Sequence, residues 1–424
     1  MIRFYNGQVL KFNPDAELCS EEVWIEGSRI VYVGPSKEKP EGGFERSIDL
    51  NGGILAPGFK NAHAHTPMVF LRSLADNKPL QNWLEEDIYP NEAKLDEESA
   101  YWFTKLGIME YVSGGITSAF DMYFHRNILS CACESAGFRE VICGGVSMFD
   151  PDMEMIERDY LKYNKPGSLV RYRFGIHGEY TSTPELINYA ASLAEKYKEP
   201  FFAHISETKK EVEGCYERHG KSPLQYLYDS GLFRWGGGGF HFVYVSDEDI
   251  KLIVREGLHV VSCPASNLKL ASGIAPLGKM LEAGVEISLG TDGAASNNAL
   301  NMFREMYLAS VLQKASTGRA DIMPAAALLK AACVNGALAM GLNSCTNIQE
   351  GMLADLTVID INKPNLQPVN SPIDSVVYSG NPSNIRLTMV NGRILYEDGN
   401  YYIGESADEI YSRAATAADR IKSK

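Results

Sequence analysis

Alternating hydrophobic and polar residues mark both ends of the chain as β structure. Residues 22–34 form two alternating runs that meet at Gly27-Ser28, and residues 387–396 form two that meet at Asn391-Gly392. Two such runs joined by a short glycine-containing turn predict a β-hairpin. We therefore expect one hairpin in each flank of the chain.

Residues 9–12 and 353–360 add one further strand to each flank. Neither flank alone has enough strands to bury a hydrophobic core. We therefore expect one small β-sandwich domain composed of residues 1–56 and 350–424. Two unrelated β appendages are the alternative.

Between the flanks, the pattern changes to a repeating cycle of helix, glycine, strand and polar loop. One cycle has helical periodicity from Asp96 to Val112, a break at Gly114-Gly115 and an apolar run over residues 116–121. Alternating helices and strands predict parallel β/α architecture. The cycle recurs further along the chain, for example around Gly257.

The length of this middle segment, residues 57–349, fits a (β/α)8 TIM-type barrel. An open doubly wound sheet is the structural alternative. The sequence has no Gly-x-Gly-x-x-Gly turn after a first strand, which favours the barrel.

The unusual polar residues fall where the predicted barrel strands end. In a β/α barrel these ends face one mouth, where active sites of this fold lie. Five of the eight histidines of the chain belong to the set. Its members are His63, His65, Asp121, His177, His204, His241 and Asp292.

His63 and His65 follow the apolar run 53–56 and the breaker Pro57-Gly58. In extended backbone, residues i and i+2 project to the same side, so both imidazoles can aim at one point beyond the strand. Such a pair is typical of two metal ligands held rigidly at a barrel mouth. Two partly exposed histidines in a loop are the alternative.

Three further residues suit proton transfer at such a site. Glu207 follows the strand-ending His204, and a carboxylate there can shuttle protons without being a metal ligand; an acidic residue in the first turn of a helix is the alternative. Asp292 is suited to be a metal ligand that also takes a proton from bound water; the alternative is that it only forms an Asp-Gly turn. His241 could orient the attacking hydroxide or bind the reacting group. The alternative is a core histidine whose hydrogen bonds are all made within the protein.

Composition and charge restrict the classes of partner. The net charge is −14, and an acidic surface attracts neither phosphate backbones nor anionic membranes, so nucleic acid and membrane are not expected partners. The N-terminus lacks a signal-peptide pattern, and no apolar run approaches the roughly 18 residues of a membrane span. The chain has eight cysteines and no Cys-x-x-Cys pair. Five lie in apolar context and are expected to be buried, reduced thiols: Cys131, Cys133, Cys143, Cys263 and Cys333. We therefore predict a cytoplasmic protein.

The order His-x-His, His-x-x-Glu, His, Asp, each after a predicted strand, resembles the amidohydrolase superfamily. Within it, the chain is similar to the S-adenosylhomocysteine/5′-methylthioadenosine deaminase branch and its triazine-hydrolase, chlorohydrolase-like relatives. The resemblance covers nearly the whole chain. Its motifs lie in residues 57–65, 80–86, 90–92, 121–123, 204–212, 264–276 and 290–298.

The resemblance implies a hydrolase acting on carbon–nitrogen bonds in cyclic amidines, with one divalent metal ion, zinc or else iron. Its ligands would be His63, His65, His204 and Asp292. Asp292 and His241 would help to deprotonate and aim the water, and Glu207 would protonate the neighbouring ring nitrogen so that ammonia leaves. No lysine occupies a matching strand end to bridge a second metal ion.

The resemblance also implies substrate contacts. Trp83 and Glu92 match residues that pack on the base and bind the ribose hydroxyls, and His177 matches a histidine that faces the substrate. The alternatives are an interface tryptophan, a surface acid and a structural histidine at a strand end.

The chain departs from this branch in two places. The branch grips an amino-acid carboxylate with arginines after the next strand, but the matching residues 143–148 contain no arginine, and Ser262 stands where relatives often have a histidine. Loss of a bidentate clamp weakens the binding of a substrate that needs it. S-adenosylhomocysteine itself is therefore disfavoured.

We expect a metal-dependent deaminase that releases ammonia from an adenosine-type nucleoside, of the methylthioadenosine, deoxyadenosine or S-adenosylhomocysteine type. The alternatives are a deaminase of another purine or a pterin base, and a triazine-type hydrolase that expels chloride or an alkylamine. A non-catalytic barrel would lack a ligand, and none is missing. Expected partners are a small-molecule substrate and water as co-substrate. Homodimers are usual among relatives, although the sequence itself does not indicate an oligomeric state.

Overall fold

The computed structural model describes residues 1–38, 40, 42–74, 76–78, 80–148 and 152–423. The strands in this part of the chain are β1 (Ile2–Tyr5), β2 (Gln8–Phe12), β3 (Ala16–Cys19), β4 (Glu22–Glu26), β5 (Arg29–Gly34), β6 (Arg46–Asp49), β7 (Ile54–Pro57), β8 (Phe59–Ala64), β9 (Ile116–Asp121), β10 (Arg139–Cys143), β11 (Val170–Gly178), β12 (Phe201–Ile205), β13 (Gly237–His241), β14 (His259–Ser262), β15 (Ile287–Leu289), β16 (Leu356–Ile359), β17 (Ile385–Val390), β18 (Arg393–Glu397) and β19 (Asn400–Tyr401).

The α-helices of the described residues are α1 (Leu80–Trp83), α2 (Tyr89–Glu92), α3 (Glu97–Ser113), α4 (Arg126–Ala136), α5 (Glu154–Tyr163), α6 (Pro184–Tyr197), α7 (Lys209–His219), α8 (Pro223–Asp229), α9 (Asp247–Glu256), α10 (Pro264–Lys269), α11 (Leu277–Glu282), α12 (Ala294–Asn297), α13 (Met302–Thr317), α14 (Ala325–Lys330), α15 (Gly336–Met340), α16 (Pro372–Ser379) and α17 (Ala407–Ser423). Wider π-helical turns at Leu84–Ile88 and Ala331–Asn335 join α1 to α2 and α14 to α15. Short 3₁₀ turns lie at Thr66–Leu71, Glu179–Thr181, Asn343–Cys345, Pro364–Leu366 and Pro382–Asn384.

Strands β8 to β15 form one eight-stranded parallel sheet in sequence order. Its first and last strands are joined where the ring closes: Asp292 N donates to His63 O at 2.9 Å, and Asn61 and Thr291 exchange two hydrogen bonds of 2.8 Å. Helices follow the strands, so the sheet is covered on its outer side. The predicted TIM-type barrel is confirmed, and the doubly wound alternative is wrong.

Apolar side chains fill the inside of the barrel. Phe120, Phe202 and Phe240 belong to one buried cluster, and the rings of Phe120 and Phe202 meet edge to face with centroids 4.9 Å apart. This packing makes the barrel a solid support. The polar side chains of the site therefore project from its mouth.

The helix boundaries follow from capping residues visible in the sequence. The Asp96 side chain accepts from Ser99 N at 2.9 Å and begins α3, and Thr183 caps α6 in the same way. Gly257 adopts a φ of 62° and ends α9. These contacts satisfy backbone groups that a helix end leaves unpaired.

The two flanks of the chain form two further sheets, with strand orders β5-β4-β1-β6 and β19-β18-β17-β16-β7-β2-β3. β7 pairs antiparallel with β16, so both flanks contribute to one sheet and the alternative of two unrelated appendages is wrong. Both hairpins form; Asn391 and Gly392 have φ values of 52° and 77°, as a type I′ turn requires. The fold class is confirmed, while the domain boundaries at 56/57 and 349/350 stay a prediction.

Six of the eight cysteines are buried, and all eight are free thiols. Cys131 is exposed because it lies on the outer face of α4, so the expectation that it is buried is wrong. Within the described residues, no helix combines the length and apolar character that a bilayer crossing demands.

Candidate active site

The four predicted metal ligands meet at the carboxyl ends of the barrel strands. His63 lies in β8 and His65 follows it, His204 lies in β12, and Asp292 comes three residues after β15. Asp292 Oδ1 lies 3.6 Å from His63 Nε2 and 3.2 Å from His65 Nε2. The ring centroids of His63 and His204 are 4.9 Å apart.

Backbone carbonyl groups fix two of these imidazoles. His65 Nδ1 lies 2.5 Å from Met122 O, and His204 Nδ1 lies 2.6 Å from His177 O. A carbonyl oxygen only accepts, so each ring carries a proton on Nδ1 and turns Nε2 towards the centre. Metal-binding histidines are commonly oriented in this way.

His63 is held by packing. Its ring stacks on Phe240 with centroids 3.9 Å apart, and both ring nitrogens are buried without a hydrogen-bond partner in the described part of the chain. Buried polar atoms are rarely left unpaired in native proteins, and each exception calls for an explanation. His63 Nε2, which lies 3.6 Å from Asp292 Oδ1, is such an exception, and metal coordination would explain it.

The charges of the site favour a cation at its centre. Burial alone would raise the pKa of Asp292, but the hydrogen bond from His65 and its charge outweigh burial and hold that pKa well below its usual range. Burial lowers the pKa of His65, yet the contact with Asp292 raises it to about 9. The negative charge of the buried Asp292 carboxylate is thus compensated by the proton on His65. A metal cation would compensate the same charge.

Asp292 is fixed from several directions. Its backbone has a φ of 59°, Ser266 Oγ donates to Oδ2 at 2.5 Å, and Ser296 Oγ donates to the same oxygen at 3.1 Å. Gly293 N donates to Oδ1 at 2.9 Å. Asp292 is therefore both the first residue of an Asp-Gly turn and the carboxylate of the site, so the two alternatives do not exclude each other.

Glu207 lies in the loop between β12 and α7. It precedes Thr208, the N-cap of α7, so the alternative that it is a first-turn helix residue is wrong. Its Oε2 lies 3.8 Å from His241 Nε2. Burial and the charge of Asp292 raise the pKa of Glu207.

A cavity of about 440 Å³ opens above these residues and is lined mostly by apolar side chains. The predicted substrate contacts Trp83, Glu92 and His177 all line it. Glu92 is no ordinary surface acid, since burial raises its pKa to about 7. Burial lowers the pKa of His177 to about 4, so this ring is a neutral hydrogen-bonding group. The other predicted residues on the cavity wall are His65, His204, Glu207, His241 and Asp292.

Of the predicted strand-end residues, His63 and Asp121 do not line the cavity, and of these two only His63 belongs to the cluster of candidate metal ligands. Asp121 is fully buried outside the cavity lining, where its Oδ2 accepts from Thr66 N at 2.9 Å. Phe120 and Met122 point into the barrel, so the side chain between them faces outward. Asp121 therefore supports the backbone after His65.

Several residues on or behind the cavity wall were not predicted from the sequence. Arg126, at the start of α4, lines the cavity, and its Nε donates to Asp159 Oδ2 at 2.8 Å. The signal for it was its position shortly after β9, on the carboxyl side of the barrel. The others, Tyr123, Tyr180, Ser266, Asn267 and Ser296, follow barrel strands in the same way.

Comparison with known proteins identifies relatives of the whole chain. A model of the amidohydrolase family matches residues 54–395. A 5-methylthioadenosine/S-adenosylhomocysteine deaminase from Thermococcus sibiricus is 38% identical over 397 residues, which cover 92% of each chain. The structure of an adenosine deaminase from Xanthomonas campestris with bound zinc superposes with a TM-score of 0.94 at 29% identity, over 100% of this chain and 99% of that one.

An atrazine chlorohydrolase from Arthrobacter aurescens TC1, complexed with zinc, shares the fold. Its TM-score is 0.90 at 21% identity, over 99% of this chain and 100% of that one. The resemblance inferred from the sequence motifs is confirmed.

Proposed function

The chain belongs to the amidohydrolase family and is a hydrolase acting on carbon–nitrogen bonds in cyclic amidines; from this premise we propose that it deaminates an adenosine-type nucleoside. The proposal rests on one observation: the proton-transfer groups Glu207 and His241 line the same cavity as Trp83 and Glu92. The cavity thus combines groups suited to hydrolysis with groups suited to a base and a ribose.

The family depends on a metal ion, and we propose that His63, His65, His204 and Asp292 hold it. Three imidazole nitrogens and one carboxylate oxygen suit zinc, and zinc is bound in both structural neighbours. Iron(II) is the alternative, since the same ligand types accept it. Two observations support this set: the His63 nitrogens have no hydrogen-bond partner among the described residues, and the Nε2 atoms of His65 and His204 point inward.

When bound, the metal ion supplies Lewis acidity that lowers the pKa of a water molecule towards about 7. Asp292 would accept a proton from the attacking water, and His241 would aim its oxygen at the ring carbon that bears the amino group. Both residues are held by hydrogen bonds, so this arrangement requires little movement.

Glu207 donates its proton to the ring nitrogen next to that carbon. The water oxygen forms a bond to the carbon, and the exocyclic carbon–nitrogen bond breaks as the amine takes the proton held by Asp292 and leaves as ammonia. The second proton of the water returns to Glu207, so the oxygen becomes a ring carbonyl and the acid is restored. The raised pKa of Glu207 suits this role, because a general acid must hold its proton before the reaction.

Trp83 offers an apolar surface for the base, and Glu92 offers a carboxyl group for the ribose hydroxyls. Tyr123, which is buried beside Glu92, and His177 complete the polar positions of this wall. Few polar groups in an apolar cavity fix the orientation of a small ligand. A nucleoside uses all of these positions, whereas a free base offers Glu92 no ribose hydroxyl to bind.

The part of the cavity near Arg126 favours an uncharged 5′ substituent. The guanidinium of Arg126 is paired with the buried carboxylate of Asp159 at 2.8 Å. A substrate carboxylate would have to compete with this ion pair. We therefore rank methylthioadenosine and 5′-deoxyadenosine above S-adenosylhomocysteine.

The test is ammonia release by the zinc-loaded enzyme from adenosine, 5′-deoxyadenosine, methylthioadenosine, S-adenosylhomocysteine, guanine and a pterin, with chloride release from a chlorotriazine measured in parallel. Higher kcat/KM for the uncharged adenosines supports the proposal. A preference for S-adenosylhomocysteine contradicts the argument from Arg126 while retaining deamination. Chloride release, or activity on free bases alone, would overturn the nucleoside assignment.

A further inference from the structure

Two adjacent residues of α10 each contact a different residue of the site. Ser266 Oγ donates to Asp292 Oδ2 at 2.5 Å, and Asn267 Oδ1 lies 2.8 Å from His241 Nδ1. All four residues are buried, with exposed fractions of 6% or less. Neither Ser266 nor Asn267 lines the cavity, so they reach the site from behind.

We propose that Ser266 and Asn267 are positioning residues that fix, from one helical turn, the two groups that handle the proton of the attacking water. This inference rests on the proposed function of Asp292 and His241. It adds two residues that never touch the substrate.

Asn267 selects the tautomer of His241. An amide oxygen only accepts, so the imidazole must carry its proton on Nδ1. Its Nε2, 3.8 Å from Glu207 Oε2, then presents a lone pair to the site. A hydrogen bond that fixes one ring nitrogen in this way decides what the other nitrogen can do.

The backbone at His241 makes this support necessary. His241 and Phe242 have φ values of 79° and 49°, in the left-handed region that residues with side chains seldom adopt. Such a conformation persists only where the surroundings impose it. The hydrogen bond to Asn267 is one contact that imposes it.

Ser266 orients the carboxylate of Asp292. A carboxylate only accepts, so the serine hydroxyl donates to Oδ2, and Oδ1 is left facing His63 and His65. Partners of this kind hold a metal-binding carboxylate at the right angle.

α10 itself is anchored from below. Glu305 of α13 is fully buried; its Oε2 accepts from Ala265 N at 2.9 Å, and its Oε1 accepts from Asn297 Nδ2 at 2.8 Å. The turn that carries Ser266 and Asn267 is therefore fixed relative to the last barrel strands. A rigid support is what a positioning role requires.

The test compares N267L, which removes the acceptor, with N267D, which keeps it. The control is N335L: Asn335 is also buried, and its Nδ2 donates to Ile287 O at 2.8 Å at the start of β15, away from the barrel mouth. We expect N267L to lose about 10–100-fold in kcat, with less change in KM. N267D should retain most of kcat, and N335L should lose stability but not kcat.

A second measurement needs no substrate. Long-range ¹H–¹⁵N spectra of histidine-labelled, metal-free protein should show His241 protonated on Nδ1 in the wild type and in N267D, but not uniformly so in N267L. For Ser266, S266A should weaken zinc binding about tenfold, measured with a competing chelator.

Protonation of His241 on Nε2 in the wild type would overturn the inference for Asn267. So would equal losses of kcat in N267L and N335L, since both would then report a general structural defect. Unchanged zinc affinity in S266A would overturn the inference for Ser266. The spectra and the zinc titration remain informative if no deaminase activity is found, so failure of the proposed function is distinguishable.

Discussion

Among single residues, Glu207 shows how local surroundings set chemistry. It lies outside α7, is 5% exposed, and has His241 Nε2 at 3.8 Å. Burial raises the pKa of its carboxyl group, so Glu207 keeps a proton at a higher pH than an exposed glutamate does. The same residue in the first turn of a helix would be ionised and solvated.

The first prediction is that E207Q loses most of its activity without losing metal. Glutamine keeps the size of the side chain but has no acidic proton to donate, so kcat should fall about 10²–10⁴-fold. Steady-state kinetics and metal analysis of the purified protein measure both effects.

E213Q is the matched control, because Glu213 lies on α7 with a largely exposed carboxylate. It should retain wild-type kcat. A similar kcat in E207Q and the wild type would exclude Glu207 as the general acid.

Among the secondary-structure elements, the loop between β12 and α7 owes its conformation to hydrogen bonds with Glu211. Its carboxylate accepts from Ser206 N and Glu207 N, both at 2.8 Å, and it forms a capping box with Thr208. Ser206 has a φ of 53°, so the chain turns sharply there. The helix cap therefore also holds the backbone of Glu207.

The second prediction separates the two roles of Glu211, which are capping α7 and holding the backbone of Glu207. E211Q replaces an acceptor oxygen by an NH₂ group facing backbone N–H donors, which should cost about 1–3 kcal/mol of stability. Because Glu207 also shifts, kcat should fall about 100-fold. Thermal unfolding and kinetics measure the two effects.

D249N is the comparison variant for E211Q. Asp249 forms the same kind of capping box with Ser246 on α9, but it contacts no residue of the site in the described chain. It should lose stability and keep its kcat. If both variants lose kcat equally, the cap of α7 has no special effect on Glu207.

The sequence predicts elements better than it predicts which way a side chain faces. Barrel strands, capped helices and the Asn391-Gly392 hairpin follow from periodicity and turn chemistry. Asp121 could not be placed in this way, because the residues around it are small or apolar and either face of β9 could be the inner one. Only pairing with the neighbouring strands settles that question.

The residues that contact the site from behind could not be predicted from the sequence either. Ser266 and Asn267 lie in a six-residue helix directly after β14, where serine and asparagine are ordinary terminal residues. Their contacts with Asp292 and His241 join strands that are far apart in the chain. Local pattern carries no information about such contacts.

At the scale of the whole molecule, one buried ion pair ties the barrel to the terminal sheets. Arg139 of β10 donates to Asp355, just before β16, at 2.5 and 3.0 Å. Asp355 Oδ1 also accepts from Asn391 N at 2.7 Å, at the tip of the hairpin of β17 and β18. Three elements from distant parts of the sequence thus meet at one carboxylate.

The last prediction is that D355N destabilises the entire fold. Removing one partner leaves the charge of Arg139 buried and uncompensated, which should cost about 3–5 kcal/mol. D321N is the control, because the Arg319–Asp321 pair is exposed and screened by solvent, so its loss should change stability little. Denaturant unfolding followed by fluorescence and circular dichroism measures both variants.

The pH dependence of the stability difference between wild type and D355N shows whether the charge of Asp355 causes that difference. Burial alone would raise the pKa of Asp355, but the charge and hydrogen bonds of Arg139 outweigh burial and hold that pKa below its usual range. A depressed pKa in the folded state gives stability that is present above the unfolded value, about 3.9, and is lost as the pH falls through the folded value. The gap between wild type and D355N should therefore be constant between about pH 5 and pH 8 and shrink below about pH 4. A gap that stays constant in acid would mean that packing around Asp355, and not its charge, joins the barrel to the terminal sheets.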